Sequence, residues 1–372
     1  MVRTRAAAGA RPPVLPLAML LAIGCHASNP AFCPDGADEA GECLRPPDAT
    51  TPCFGVAPFL VCVAPPTEPL VLARIDTDVN CDEIVMMNHE VCVVKGTDVT
   101  IGQLVPIRGT RPVVILASNE LTIDASGSLD AAGAGTTPGA GADIACTTAT
   151  AGADHTNGGG GGAGGTFGSR GGNGGTGNYG GSTTGKPGIA GMLAGAPAAL
   201  QGGCSGTDAG NAGTPGTDSK GERGRAGGGV YLVAGKTLTL HGTINASGAG
   251  GSGGRLPRGG GGGGGSGGMI VLYAPTAVVS ATAQILANGG GGGGGANSTA
   301  AGDNGTSPTA PLTAARGGNG QGGDGGNGAF LTMPATMGVS ALEGGGGGGG
   351  GVGVIYILGG NFNAAKISPP PT

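Results

Sequence analysis

Glycine supplies 89 of the 372 residues and stands in unbroken runs at Gly259–Gly265, Gly289–Gly295 and Gly344–Gly351. Such runs offer neither the apolar stripe of a helix nor the alternation of a half-buried strand, and glycine loses the most backbone entropy on ordering. Two outcomes are open to them. One is a set of flexible, disordered loops. The other is a set of extended helices with three residues per turn, lying side by side and bonding laterally through backbone N–H and C=O where no Cβ is tolerated. Gly185-Lys-Pro-Gly-Ile-Ala-Gly191 and Gly221-Glu-Arg-Gly-Arg-Ala-Gly227 carry a period of three. They are too short for a collagen triple helix.

The remaining composition narrows the function classes. Six Phe, four Tyr, no Trp and 11% charged residues, beside 26 Pro, supply neither the core nor the surface of a conventional enzyme domain. The net charge is -5, with no run of Lys or Arg to neutralise a track of phosphates, so nucleic acid is not an expected partner.

The amino terminus reads as an export signal. Arg3, Arg5 and Arg11 precede an apolar stretch from Val14 to Ile23 that is too short to span a membrane and ends in small residues. Leu21-Ala22-Ile23-Gly24-Cys25 resembles the bacterial lipobox, departing from it in having Ala22 rather than Leu three positions before the cysteine. The resemblance implies cleavage after residue 24, diacylation of Cys25 and a membrane partner held through that lipid. Residues 1–24 are then the signal peptide and 25–69 a Cys- and Pro-rich stalk.

Nine cysteines cannot all pair, whereas setting Cys25 aside leaves eight: Cys33, Cys43, Cys53, Cys62, Cys81, Cys92, Cys146 and Cys204. In an exported chain an even set predicts disulfides. Spacings near ten residues favour local loops such as Cys33 with Cys43 and Cys81 with Cys92. No close cysteine pair of zinc-ligand spacing is present.

From Leu70 the texture changes to short β-branched runs bounded by Asp, Asn or Gly, which predict strands. Pro112–Asp124 then aligns with Gly229–His241, matching Ala117 to Ala234, Leu121 to Leu238 and Ile123 to Leu240; further copies begin at Met269 and Val354. Each copy reads as strand, turn, strand, turn, strand. The expected fold is therefore all-β, a right-handed parallel β-solenoid with long glycine-rich loops, covering N-terminal coils at 70–133 and glycine-rich repeats at 134–372. The first strand of each copy is apolar on both faces, so material must pack outside it.

Together, the lipobox, the Cys-rich stalk, the Arg111-Pro-Val-Val-Ile-Leu-Ala and Leu121-Thr-Ile-Asp-Ala-Ser-Gly segments and the glycine tracts resemble the glycine-rich, PGRS-like surface lipoproteins of myxobacteria and related bacteria. That likeness implies an outer-membrane, cell-surface location and carries over no catalytic residue. In composition alone the tracts are also similar to the polyglycine-helix tips of some phage adhesins and to the snow flea antifreeze protein.

Several constellations invite chemistry. Asp124 and Asp130 flank one turn, with Asp76, Asp78 and Asp82 upstream, as in β-helical enzymes acting on polysaccharide; the next copy has His241 and Asn245 in their places. His26, His89, His155 and His241 are scattered. Gly322–Phe330 nearly matches a calcium-binding nonapeptide, with Asn327 where Asp is required, and the many G-x-G-x-x-G matches lack the strand and helix a nucleotide site needs. An ice-binding face would stack Thr-x-Thr coil upon coil, yet Thr237 with Thr239 finds no such partner in Val278 and Val279 of the next copy. The expectation is a non-enzymatic envelope protein with no metal, nucleotide or other cofactor. Its role is structural or adhesive, touching polysaccharide or other envelope proteins, with a polysaccharide-acting enzyme and an ice-binding protein as the alternatives.

Overall fold

A computed structural model describes residues 51–195, 197–213 and 218–372. Residues 52–372 form one compact unit. The signal peptide, Cys25, His26, Cys33 and Cys43 lie outside the described residues.

The described chain contains strands and no helix. It opens with β1 (Cys53–Phe54), β2 (Val61–Cys62), β3 (Leu70–Val71), β4 (Ile75–Asp76) and β5 (Glu83–Met86). Triplets follow: β6 (Glu90–Gly96), β7 (Val99–Ile101) and β8 (Leu104–Arg108), then β9 (Val113–Ala117), β10 (Glu120–Ile123) and β11 (Ser128–Asp130). Next come β12 (Gly229–Ala234), β13 (Thr237–Leu240) and β14 (Thr243–Asn245), then β15 (Met269–Tyr273), β16 (Thr276–Val279) and β17 (Gln284–Leu286); β18 (Val354–Ile357) and β19 (Lys366–Ser368) close the series. The β6–β8 triplet precedes the first copy visible as a sequence repeat.

Equivalent strands of successive triplets pair in parallel. They give one sheet in the order β16-β13-β10-β7-β3, a second in the order β19-β17-β14-β11-β8-β4 and a third in the order β18-β15-β12-β9-β6-β5. Leu121 pairs with Leu238, Ile123 with Leu240 and Ala117 with Ala234, as the repeat aligned them. Inward residues of all three sheets, among them Ile115, Leu129, Leu232, Leu238 and Ile285, share one core.

The expected right-handed β-solenoid with glycine-rich loops must be corrected. The strands are short, the third sheet is mixed because β5 runs antiparallel to β6, and the strands do not close a coil. Closure fails for a physical reason. Between β11 and β12, between β14 and β15, and between β17 and β18 the chain leaves the sheets for long glycine-rich passages, so no tight corner joins those triplets.

Those passages are not loops. In Gly259–Gly268 the N–H groups of residues 261, 264 and 267 donate to the carbonyls of 345, 348 and 351. Those of 262, 265 and 268 donate to 252, 249 and 246, and those of 260, 263 and 266 to 210, 207 and 204. The carbonyls accept in the same rhythm from three further segments, through residues 159, 162 and 165, residues 290, 293 and 296, and residues 221, 224 and 227. One extended segment is thus bonded to six neighbours at 2.7–3.1 Å, with a period of three residues. Gly344–Gly351 is bonded in the same way to the segments around Gly162, Gly293, Val339, Gly264, Gly172 and Gly326.

This geometry accounts for the texture of the sequence. A central segment has neighbours on all sides and every position must be glycine or nearly so, which gives the homopolymeric runs. A peripheral segment needs glycine only on the row facing inward. Gly185, Gly188 and Gly191 are accordingly buried while Lys186, Ile189 and Met192 are exposed. The backbone bonds of the lattice offset the entropy that glycine loses on ordering.

The outer face of the third sheet packs into a second core. Val91, Val93, Val114, Leu116, Tyr231, Val233 and Val271 meet Phe167, Leu200 and Cys204 of the glycine-rich layer, and Phe59, Val61 and Val63 around the β1–β2 ribbon. The Phe59 ring lies edge-on to Tyr231 at 6.0 Å. Residues 53–63, expected in the stalk, therefore belong to the folded body. The Tyr231 hydroxyl is buried against the Gly55–Val56 backbone without a well-formed hydrogen bond, and burial raises the phenol pKa.

Candidate functional site

The third sheet has its outer face covered, whereas the outward residues of the first and second sheets are half-buried or exposed; the first carries columns of threonine. On β10 and β13 Leu121, Ile123, Leu238 and Leu240 point inward, so the alternate residues point out. In register, Thr100, Thr122 and Thr239 form one column, capped by Val71 on β3 and Val278 on β16, of which Val71 is 75% exposed. A second column holds Glu120, Thr237 and Thr276. Strand spacing places successive hydroxyls about 4.8 Å apart across the face.

The register corrects the sequence reading here. Thr237 pairs with Thr276, and Thr239 with Val278. The reason is local: Val233 pairs with Tyr273, but the following turn is one residue shorter before β16 than before β13.

The carboxylates singled out from the sequence hold structure together. Asp130 receives the Arg108 guanidinium at 3.2 Å and stands in register with Asn245, whose side chain reaches it at 3.5 Å. Asp78 accepts from the Thr110 N–H and hydroxyl and faces Arg111 at 3.4 Å. Asp82 accepts the Lys95 N–H, and Asp76 accepts the Asp78 N–H. Asp124 lies on the turn after β10, apart from Asp130 on β11 of another sheet. The structure does not bring the two together as a pair.

The histidines are likewise dispersed: His89 Nε2 lies 2.5 Å from the Leu200 carbonyl and His155 Nε2 lies 3.0 Å from the Thr183 hydroxyl. In the calcium-like segment Asp324 accepts the Gly320 N–H and Asn327 accepts the Gly317 N–H, both at 2.9 Å, so their oxygens serve the lattice. Among the described residues no group of three or more His, Cys, Asp or Glu is placed to hold a metal ion.

Six of the eight candidate disulfide cysteines pair within the described residues, as Cys53–Cys62, Cys81–Cys92 and Cys146–Cys204. The first clamps the β1–β2 ribbon, the second joins the β5–β6 hairpin region, and the third ties the glycine-rich layer to itself.

One carboxylate missed in the sequence stands out. Burial opposes the charge of Asp208, but the Arg223 N–H and guanidinium, each at 3.1 Å, together with Lys220, hold its pKa below the usual 3.8. The unfolded chain therefore binds the proton more readily, so this stabilisation is complete above 3.8 and is lost as pH falls through the lower folded value. The pair is partly exposed and contributes under about 1 kcal/mol. Asp208→Asn is expected to lower Tm slightly at neutral pH and to match the unsubstituted protein well below pH 3.8. Thermal melts across that range test it.

Comparison with protein families, curated proteins and solved structures returns no match for this chain.

Proposed function

We propose that the protein is a non-enzymatic, exported envelope protein, lipid-anchored through Cys25, that displays a rigid body making structural or adhesive contact with polysaccharide. The observation carrying this reading is the solvent-facing sheet with Thr100, Thr122, Thr239, Thr237 and Thr276 in registered columns. A flat array of hydroxyls on rigid strands offers repeated weak hydrogen bonds to an extended, hydroxyl-rich polymer, and repetition supplies the avidity that each bond lacks. Three disulfides support an oxidising compartment. The lipobox resemblance and the likeness to PGRS-like surface lipoproteins support the envelope.

The test couples place to binding. Protease added to intact cells is expected to cut the epitope-tagged protein, and Cys25→Ala is expected to release it from the membrane fraction. Protection until the outer membrane is permeabilised would replace the surface role with a periplasmic one. Binding of the purified ectodomain to envelope polysaccharide is expected to weaken about tenfold in Thr122→Lys, which inserts a long cation at the middle of the array. Equal binding by the variant would remove this face from the reading.

A further inference from the structure

The chain contains six Asn–Gly dipeptides, at Asn157, Asn173, Asn288, Asn304, Asn319 and Asn327. Asn–Gly is the pair most prone to spontaneous deamidation, because glycine leaves its backbone nitrogen sterically open. That nitrogen loses its proton to solvent base and attacks the side-chain carbonyl carbon. An N–C bond forms, the amide C–N bond breaks, and ammonia leaves. Water then opens the succinimide to aspartate or isoaspartate. Two things obstruct the step: a hydrogen bond that holds the glycine N–H, and contacts that fix the asparagine side chain.

The lattice imposes both at most of these sites. Asn173, Asn304 and Asn327 each accept a backbone N–H at 2.9 Å, from Ala190, Gly253 and Gly317. The glycines that follow them donate across the lattice to Gly188, Gly251 and Ala315. Asn288 is fully buried, bonded to Pro311 and Ser368, and Gly289 donates to Ala329. Asn319 is held less firmly: its side chain reaches Asp303 at 3.4 Å, and Gly320 donates to the nearby Asp324 side chain.

Asn157 differs. It is exposed in a turn, its side chain makes no hydrogen bond among the described residues, and its own N–H lies 3.3 Å from His155 Nδ1. The Gly158 N–H donates only within that turn, to the His155 carbonyl at 3.1 Å. We infer that Asn157 is a site of spontaneous deamidation in the folded protein and that the glycine lattice shields the other Asn–Gly pairs. The isoaspartyl product lengthens the backbone beside Gly158, where even an added Cβ would come within 2.2 Å of the Glu343 carbonyl, so conversion loosens that end of the lattice.

The test is peptide mapping of the folded, disulfide-intact full chain during incubation at mildly alkaline pH. The readouts are the mass gain of an amide becoming an acid and labelling by an isoaspartyl methyltransferase. Asn157 is expected to convert at least about tenfold faster than the four firmly held sites, the ratio that about 1.4 kcal/mol of local opening produces, with Asn319 second. In strong denaturant the six are expected to convert at similar rates. Asn157→Gln, an exposed substitution that keeps the turn, is expected to retain Tm and lose the early conversion. Conversion at Asn157 no faster than at the others, or any other site leading it, overturns the inference.

Discussion

Replacing Gly264 by alanine is expected to destabilise the protein by about 3 kcal/mol or more, a large share of the stability of an ordinary domain. A Cβ at this position would stand 2.2 Å from the Gly290 carbonyl oxygen and 2.7 Å from its carbon. Both are backbone atoms within the lattice, so no side chain can rotate aside. Relief requires the two segments to separate, and separation stretches the bonds Gly264 makes to Gly348 and accepts from Gly165, both 2.9 Å. The same substitution at Gly348, whose Cβ would meet the Gly172 carbonyl at 2.1 Å, is expected to cost as much.

Gly195 provides the contrast, since a Cβ there meets nothing within 4 Å and its φ is not in the left-handed region. Gly195→Ala is expected to be neutral or to stabilise by about 0.5 kcal/mol, because alanine narrows the unfolded ensemble. Chemical denaturation of the three variants side by side reads the difference. Similar midpoints for Gly264→Ala and Gly195→Ala would mean that the tracts tolerate side chains and are not packed as a lattice.

How much of this was legible beforehand depends on whether side chains carried the signal. Leu121 with Leu238 and Ile123 with Leu240 could be aligned because a buried strand writes its inward face into the sequence. The β6–β8 triplet was not seen as a repeat because Cys92 and Lys95 stand where β9 has Val113 and Leu116, although the pairs are in register. The pairing of Thr237 with Thr276 was missed because the one-residue shortening lies in a turn, where no periodicity marks it. Closure was misjudged for a deeper reason. A glycine segment has no side chain to show which neighbours it meets, and its partners are chosen by the three-dimensional lattice. Gly261 bonds to Gly345 and Gly262 to Ser252, and nothing local in the sequence distinguishes the two directions. What the sequence does carry is the difference between positions that allow side chains and positions that forbid them, and that difference separates the centre of the lattice from its rim.

The rim is where a covalent tie matters most, and removing the Cys146–Cys204 disulfide is expected to have the second large effect. The two cysteines are 58 residues apart, and closing a loop of that size in the unfolded chain is worth about 4 kcal/mol in the chain-entropy account. The loop spans the peripheral segments 147–153, 171–179 and 185–192, which carry side chains on their outer rows and have neighbours on fewer sides than the central runs. Cys204 itself is buried in the second core, and its N–H donates to the Ser266 hydroxyl at 2.8 Å on the central segment. The bridge therefore fastens the start of this outer layer to the middle of the lattice. In Cys146→Ser, Cys204→Ser the fall in stability is expected to appear first as local opening, with proteolytic cleavage concentrated in segments 147–153, 171–179 and 185–192 while the buried Gly158–Gly165 segment and the three sheets resist. Limited proteolysis followed by mass spectrometry separates that pattern from global unfolding. Uniform cleavage at one rate would show that the lattice and the sheets unfold as one unit, and unchanged resistance would show that backbone bonds alone hold the outer layer.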